Sequence, residues 1–264
     1  MENNEFSMEI PKVINNKKSW KREIIIGIIA IVLIIILIIL LVTLNSSDDN
    51  ENKNEDEKEL AIINCNYKIE EESLETQIIS ESYKESPNFN IYIEGKKIDY
   101  TKKYKFTKAN TYNIQYKLKG DINMDYMFKD INALINIDMN YTENKKIKIK
   151  SMIGTFENCG NLNDFKIDGF DISEIKSLHK LFYNNKKLIH VNLNNFNNEN
   201  NIINISYIFS GCSSLTNINI NNFNTKNALD ISYMFQNCTL LKDINLQYII
   251  YCKLYLKKIL YFNK

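Results

Sequence analysis

The chain has 264 residues, a formal net charge of +1, and only 7 Gly and 2 Pro. That length allows one large domain or two small ones, and the scarcity of Gly and Pro excludes collagen-like or linker-dominated architecture. The balanced charge gives no basic footprint, so a nucleic-acid partner is not expected. Heavy use of Asn, Ile and Lys fits an AT-rich coding genome and carries no chemistry by itself.

Residues 1–23 form a basic tail containing Lys12, Lys17, Lys18, Lys21 and Arg22. Next comes "IIIGIIAIVLIIILIILLVTL", residues 24–44, which is 21 residues without a charge. As a helix it would extend ~31 Å, the thickness of a bilayer core. The expectation is a transmembrane signal anchor, longer than the apolar core of a cleavable signal peptide. Basic residues precede it and an acidic segment follows, so the N-terminus is expected in the cytoplasm and the C-terminus outside. Residues 45–60 carry a run of acidic residues with no apolar period and read as a solvated stalk.

Residues 61–120 change character. "IYIEGKKI" (91–98), "YKF" (104–106) and "YNIQYKL" (112–118) alternate with period two, and Gly95 with Lys96 marks a hairpin turn. A small β unit serving as spacer or cap is expected here.

Residues 121–249 contain a repeat. Phe128, Phe156, Phe182, Phe209 and Phe235 stand 28, 26, 27 and 26 residues apart. Taking each Phe as position 0, a Leu stands at +6 every time: Leu134, Leu162, Leu188, Leu215 and Leu241. Positions −4, +9 and +11 are apolar throughout. Residues at +9 and +11 alternate as a short strand does, while −4, −1 and 0 follow helical spacing. Each unit therefore reads as a helical turn, a corner, a strand and a return loop. Stacking is required to bury its apolar face. The fold class expected is α/β: a leucine-rich-repeat-like solenoid of about five short parallel strands and helical turns, preceded by one transmembrane helix and the small β domain. At strand separations of ~4.8 Å its parallel sheet would stand about 24 Å tall.

The opposite strand face is polar at +8, +10 and +12. It presents Asn136, Asp138 and Asn140; Asp164, Lys166 and Asp168; His190, Asn192 and Asn194; Asn217, Asn219 and Asn221; then Asp243, Asn245 and Gln247. This face is the candidate binding surface, although it lacks the aromatic and Arg residues that dominate hot spots. Merely water-facing strand positions are the plainer alternative.

The phrases "YMFQNCTLLKDINL" and "YIFSGCSSLTNININNFNTKNALDISYMF" resemble the repeat of the BspA-like leucine-rich-repeat surface proteins, of the 26-residue Mycoplasma-lipoprotein type. Two repeats match closely and residues 121–249 match more loosely. Ile131 and Asn185 stand where the pattern has Cys, and Thr142 where it has Phe. The resemblance implies cell-surface display and adhesion to cells or matrix, without naming a ligand.

Of 5 Cys, three occupy position +3: Cys159, Cys212 and Cys238. The register reads them as a ladder of small buried thiols. A Cys212–Cys238 bridge is the alternative, since stacked turns can meet disulfide geometry. Four sequons occur, at Asn45, Asn140, Asn204 and Asn237, with Asn140 and Asn204 the better glycosylation candidates. Asp164, Asp168 and Asp171 cluster without the Gly-Gly punctuation of a calcium-binding nonapeptide. No zinc spacing, H-E-x-x-H, G-x-S-x-G or phosphate loop appears, so no metal, cofactor, small-molecule substrate or enzymatic activity is expected. Residues 250–264 leave the register and read either as a terminal cap or as a truncated array.

The expected function is that of a membrane-anchored surface protein binding a protein, a cell surface or matrix through the repeat face. A signalling receptor ectodomain and a structural coat component without a ligand are the alternatives.

Overall fold

The computed structural model describes residues 59–72, 75–141, 146–193, 196, 202–220, 223, 225 and 227–242. The chain divides into two compact units, Met1–Asp56 and Glu57–Lys264. The described residues all belong to the second.

Its first strand, β1 (Ala61–Ile69), alternates cleanly: Ala61, Ile63, Cys65, Tyr67 and Ile69 are buried, and Asn64, Asn66 and Lys68 point the other way. Strand β2 (Glu75–Gln77) pairs with β5 (Lys103–Lys105) in a small antiparallel ribbon. The predicted hairpin forms between β3 (Phe89–Ile93) and β4 (Lys96–Ile98). Its two turn residues, Glu94 and Gly95, have φ of 49° and 77°. Two consecutive left-handed residues match the right-handed twist of a hairpin, which is why Gly stands at the second. Strand β6 (Asn110–Leu118) pairs antiparallel with both β1 and β3. Tyr67 and Tyr116 reach under this sheet and both donate to the carbonyl of Ile78, at 2.8 and 2.6 Å. Two large side chains are thus buried without orphaning a hydroxyl.

After the short β7 (Ile122–Asn123), β8 (Leu134–Tyr141) lies antiparallel along the free edge of β1. Strand β9 (Ile149–Ser151) pairs parallel with β7. Strand β10 (Asp164–Ile167) then pairs parallel with β8. The result is a mixed sheet of six strands in the order β10-β8-β1-β6-β3-β4. Strands β11 (His190–Asn192) and β12 (Asn217–Asn219) form a separate parallel pair.

Every described side chain of the −4, 0, +6 and +11 columns is buried, from Met124, Phe128, Leu134 and Met139 to Ile231, Phe235 and Leu241. The five Phe rings make one continuous stack. Successive centroids lie 5.7, 5.6, 5.6 and 5.7 Å apart, with planes within 12° of parallel. Phe165 packs edge-on against Phe156 and Phe182.

The segment from −4 to +3 looks helical by spacing and is not a helix. Residues at −2 and +2 are left-handed in every repeat: Tyr126, Gly154, Lys180, Tyr207 and Tyr233, then Asp130, Asn158, Asn184, Gly211 and Asn237, with φ from 55° to 82°. A left-handed residue every fourth position prevents α-helix propagation. The backbone bonds instead divide by parity. Phe128 N donates to Thr155 O in the next repeat at 3.0 Å, and Asp130 N to Glu157 O at 2.8 Å. The intervening Lys129 N and Ile131 N turn back to Tyr126 O and Phe128 O within their own repeat. The same division recurs at Phe156, Phe182 and Phe209, so each turn both closes on itself and ties to its successor.

The expected α/β solenoid is therefore corrected. The described residues are all-β with no helix among them. Their strands do not continue as one five-stranded parallel sheet closing a solenoid, because no ladder joins β10 to β11 and the parallel pair β8/β10 is embedded in a mixed sheet. Among the described residues no helix is long and apolar enough to cross a membrane. That finding stands against the expected single-pass placement, N-terminus cytoplasmic and C-terminus extracellular. Residues 24–44, on which it rested, lie outside the described residues, as do 1–23, residues 45–58 of the stalk, and 250–264.

Candidate functional site

The polar strand face assembles in rows set by register. Asn66 faces Asn113 on one side and Asn136 on the other, and Asn136 faces Asp164. Two residues along each strand, Gln115, Asn64, Asp138 and Lys166 make a second row on the same face. Side-chain bonds run along these rows: Asn113 Nδ2 donates to Asn66 Oδ1 at 3.2 Å and Gln115 Nε2 to Asn64 Oδ1 at 2.8 Å. Asn136 Nδ2 reaches Asp164 Oδ2 at 3.4 Å, and Lys166 lies 3.7 Å from the same carboxylate. On the separate pair, His190 faces Asn217 and Asn192 faces Asn219. Asp168 is exposed just past the end of β10.

The structure thus brings Asn136, Asp138, Asp164 and Lys166 together on one sheet, and His190, Asn192, Asn217 and Asn219 on another. Asp243 and Asn245 lie outside the described residues, as does the side chain of Asn140. Sequence reasoning missed the contribution of β1 and β6, which doubles the width of the polar face. Its signal was present in the alternation of "AIINCNYKI".

Asn204 sits at position −5, partly buried. Its Oδ1 accepts from Ser206 N at 2.9 Å and Ser206 Oγ at 2.7 Å. The same device recurs as Asn123 to Asp125 N, Ser177 to His179 N, and Asp230 to Ser232 N. A short polar side chain at −5 caps the turn two residues on.

Cys212 and Cys238 are free, as are Cys65 and Cys159. Each +3 thiol points back along the stack rather than toward another sulfur. Cys159 Sγ donates to Phe128 O at 2.9 Å, Cys212 Sγ to Phe182 O at 3.0 Å, and Cys238 Sγ to Phe209 O at 3.0 Å. Burial pushes the Cys238 thiol up to about 12 and holds Cys159 and Cys212 far above neutrality. Such thiols are structural rather than nucleophilic.

His179 Nδ1 lies 2.8 Å from Ser206 Oγ. Ser206 Oγ is also hydrogen-bonded to Asn204 Oδ1 at 2.7 Å and is buried. This pair is a cap, not an activated nucleophile. Among the described residues no three His, Cys, Asp or Glu converge on a metal position. Asp171 is engaged by Ser173 N and Oγ at 3.0 and 2.6 Å.

Hydrogen bonds from Ser173 hold the Asp171 carboxyl below its usual value of 3.8. Burial pushes Asp230 up, but bonds from Ser232 and Ser206 outweigh it and leave that group lowered too. Burial, then the Lys180 charge, lowers His179 from 6.5. In all three cases the folded chain binds fewer protons than the unfolded one, so stability falls with acidification. Thermal melts should show an onset of loss below about 6.5 from His179 and a steeper loss below 3.8 from the carboxylates. Asp171→Asn should flatten the acidic limb, and an unchanged limb would remove Asp171 from the account.

Residues 150–249 match the family described as "Mycoplasma protein of unknown function, DUF285". No curated protein matches the chain, and no solved structure does. The matched span covers the second to fifth repeats, and the two phrases quoted above, residues 207–246, lie within it.

Proposed function

We propose that this chain is a non-catalytic binding module that recognises another protein, as adhesion proteins do, through its polar strand rows. The observation that carries the reading is the width and regularity of those rows: amide and carboxylate side chains, in register across β6, β1, β8 and β10, over a core that holds their spacing fixed. A flat array of paired donors and acceptors suits a wet, hydrogen-bonded interface. The BspA-like character of the repeat phrases, finer than the Mycoplasma-type match, supports the same reading. So does the burial of the four described thiols and of Ser206, which leaves the Ser206–His179 pair without an exposed nucleophile.

The test is adhesion of beads coated with the full chain to whole cells and to immobilised matrix protein. Asn136→Arg with Lys166→Glu disrupts both rows while leaving the core intact. Saturable adhesion reduced about tenfold or more by that pair is expected, since buried interface groups left unpaired are expensive. Adhesion that is absent from every surface, or indifferent to the pair, would overturn the reading.

A further inference from the structure

The −2 and +1 columns, on the turns rather than the strands, carry the side chains that the strand rows lack. Position −2 reads Tyr126, Gly154, Lys180, Tyr207 and Tyr233, and +1 begins Lys129, Glu157 and Tyr183. Tyr207 and Tyr233 stack at 4.8 Å, and Lys180 Nζ lies 5.2 Å from the Tyr183 ring centre. Only the second repeat has no side chain at −2. A Cβ on Gly154 would lie 2.6 Å from Tyr126 Cε1 and 3.1 Å from Glu157 Oε2. The missing side chain therefore lets the Tyr126 ring lean across the gap and Glu157 lie beneath it.

A cavity of about 430 Å³ lies beside Tyr126 and Glu157, lined also by Glu81, Lys84, Lys129, His179 and Lys180. Glu157 is nearly buried, with a side chain 8% exposed, and its Oε1 holds Lys129 Nζ at 3.3 Å and Lys180 Nζ at 3.9 Å. One carboxylate thus positions two ammoniums at the cavity wall without cancelling both. Glu81 is met from outside the cavity by Lys102 at 3.8 Å and Lys103 at 4.0 Å. Lys84, Lys129 and Lys180 against Glu81 and Glu157 give the lining a net charge of +1, from three cations and two anions. His179 contributes its Nε2 edge, because its Nδ1 is engaged by Ser206 Oγ at 2.8 Å.

We infer that this cavity binds an acidic sugar, a pyranose bearing a carboxylate. The ammoniums of Lys129 and Lys180 take the carboxylate, Tyr126 offers its ring to the C–H face of the sugar, and the His179 Nε2 edge hydrogen-bonds a hydroxyl. A simple anion would use only the lysines, and a neutral sugar only the ring and the imidazole edge. The combination favours a ligand with both parts. This site lies on the turn columns and does not depend on the strand-row interface, so either can fail alone.

Ligand-observed nuclear magnetic resonance with the purified full chain tests it, using a glucuronate-containing disaccharide as probe. The glucose counterpart and free acetate are the controls. Saturable binding of the acidic disaccharide is expected, weakened about tenfold for each control, as loss of a charge-assisted bond predicts. Lys180→Met and Tyr126→Leu should each weaken the acidic probe about tenfold at unchanged melting temperature. Lys129→Met replaces Lys180→Met if that variant melts early. No saturable binding, equal binding of the neutral disaccharide, or binding indifferent to both substitutions would overturn the assignment.

Discussion

Phe182→Ala should destabilise the fold by about 3–5 kcal/mol, the range for emptying a fully buried aromatic position. Phe182 is the middle ring of the stack, facing Phe156 and Phe209 at 5.6 Å each, with Phe165 edge-on at 4.9 Å. Three rings lose a partner at once, and the flanking backbone bonds limit how far the turns can collapse into the void. Urea unfolding followed by circular dichroism measures the change. Phe182→Leu, which keeps most of the volume, should lose clearly less. A loss below about 1 kcal/mol for Phe182→Ala would mean that the stack is decoration on a fold held by other contacts.

Asn185→Cys should act in the opposite direction, raising stability by about 1–3 kcal/mol. Asn185 occupies position +3 of the third repeat, where Cys159, Cys212 and Cys238 stand in others. It is fully buried, and neither Oδ1 nor Nδ2 has a partner. A buried amide without partners forfeits its hydration. A thiol there would donate to Phe156 O, as Cys159 does to Phe128 O one repeat earlier. The two side chains are close in volume, so overpacking does not intervene. Urea midpoints of wild type, Asn185→Cys and Asn185→Ala decide it. A midpoint for Asn185→Cys at or below wild type would show that the amide is satisfied in solution.

The repeat register was legible because burial repeats it. Leu at +6 and Phe at 0 have no freedom to drift when each packs on its own copy. The strand hairpin at Glu94–Gly95 was legible for a different reason, since a left-handed turn restricts which residues can stand there. What misled was the spacing of −4, −1 and 0, which a helix and a stack of closed turns share. Periodicity reports which side chains face inward, not where the N–H groups go. The discriminating residues stood at +2, where Asp130, Asn158, Asn184, Gly211 and Asn237 are the types that tolerate left-handed backbone. The polar rows were half legible. Asn136, Asp138, Asp164 and Lys166 follow from the repeat, but their alignment with Asn64 and Asn66 depends on an antiparallel pairing between β1 and β8 that no local pattern encodes. The tyrosine–lysine columns carry no strand alternation in the sequence, because these residues sit on turns.

The parity of the backbone bonds has an evolutionary consequence. From −5 to +11 all five repeats keep the same number of residues, and the differences among spacings of 28, 26, 27 and 26 fall wholly in the return segment from +11 to the next −5. One residue inserted between −4 and +2 would swap which N–H groups point to the neighbour and which fold back, so every later bond in that turn would miss. One inserted in the return segment leaves the parity intact. Length variation in this chain is therefore filtered by a reading-frame rule imposed by hydrogen-bond direction. Duplication in whole phrases is the easy route by which such a protein grows or shortens.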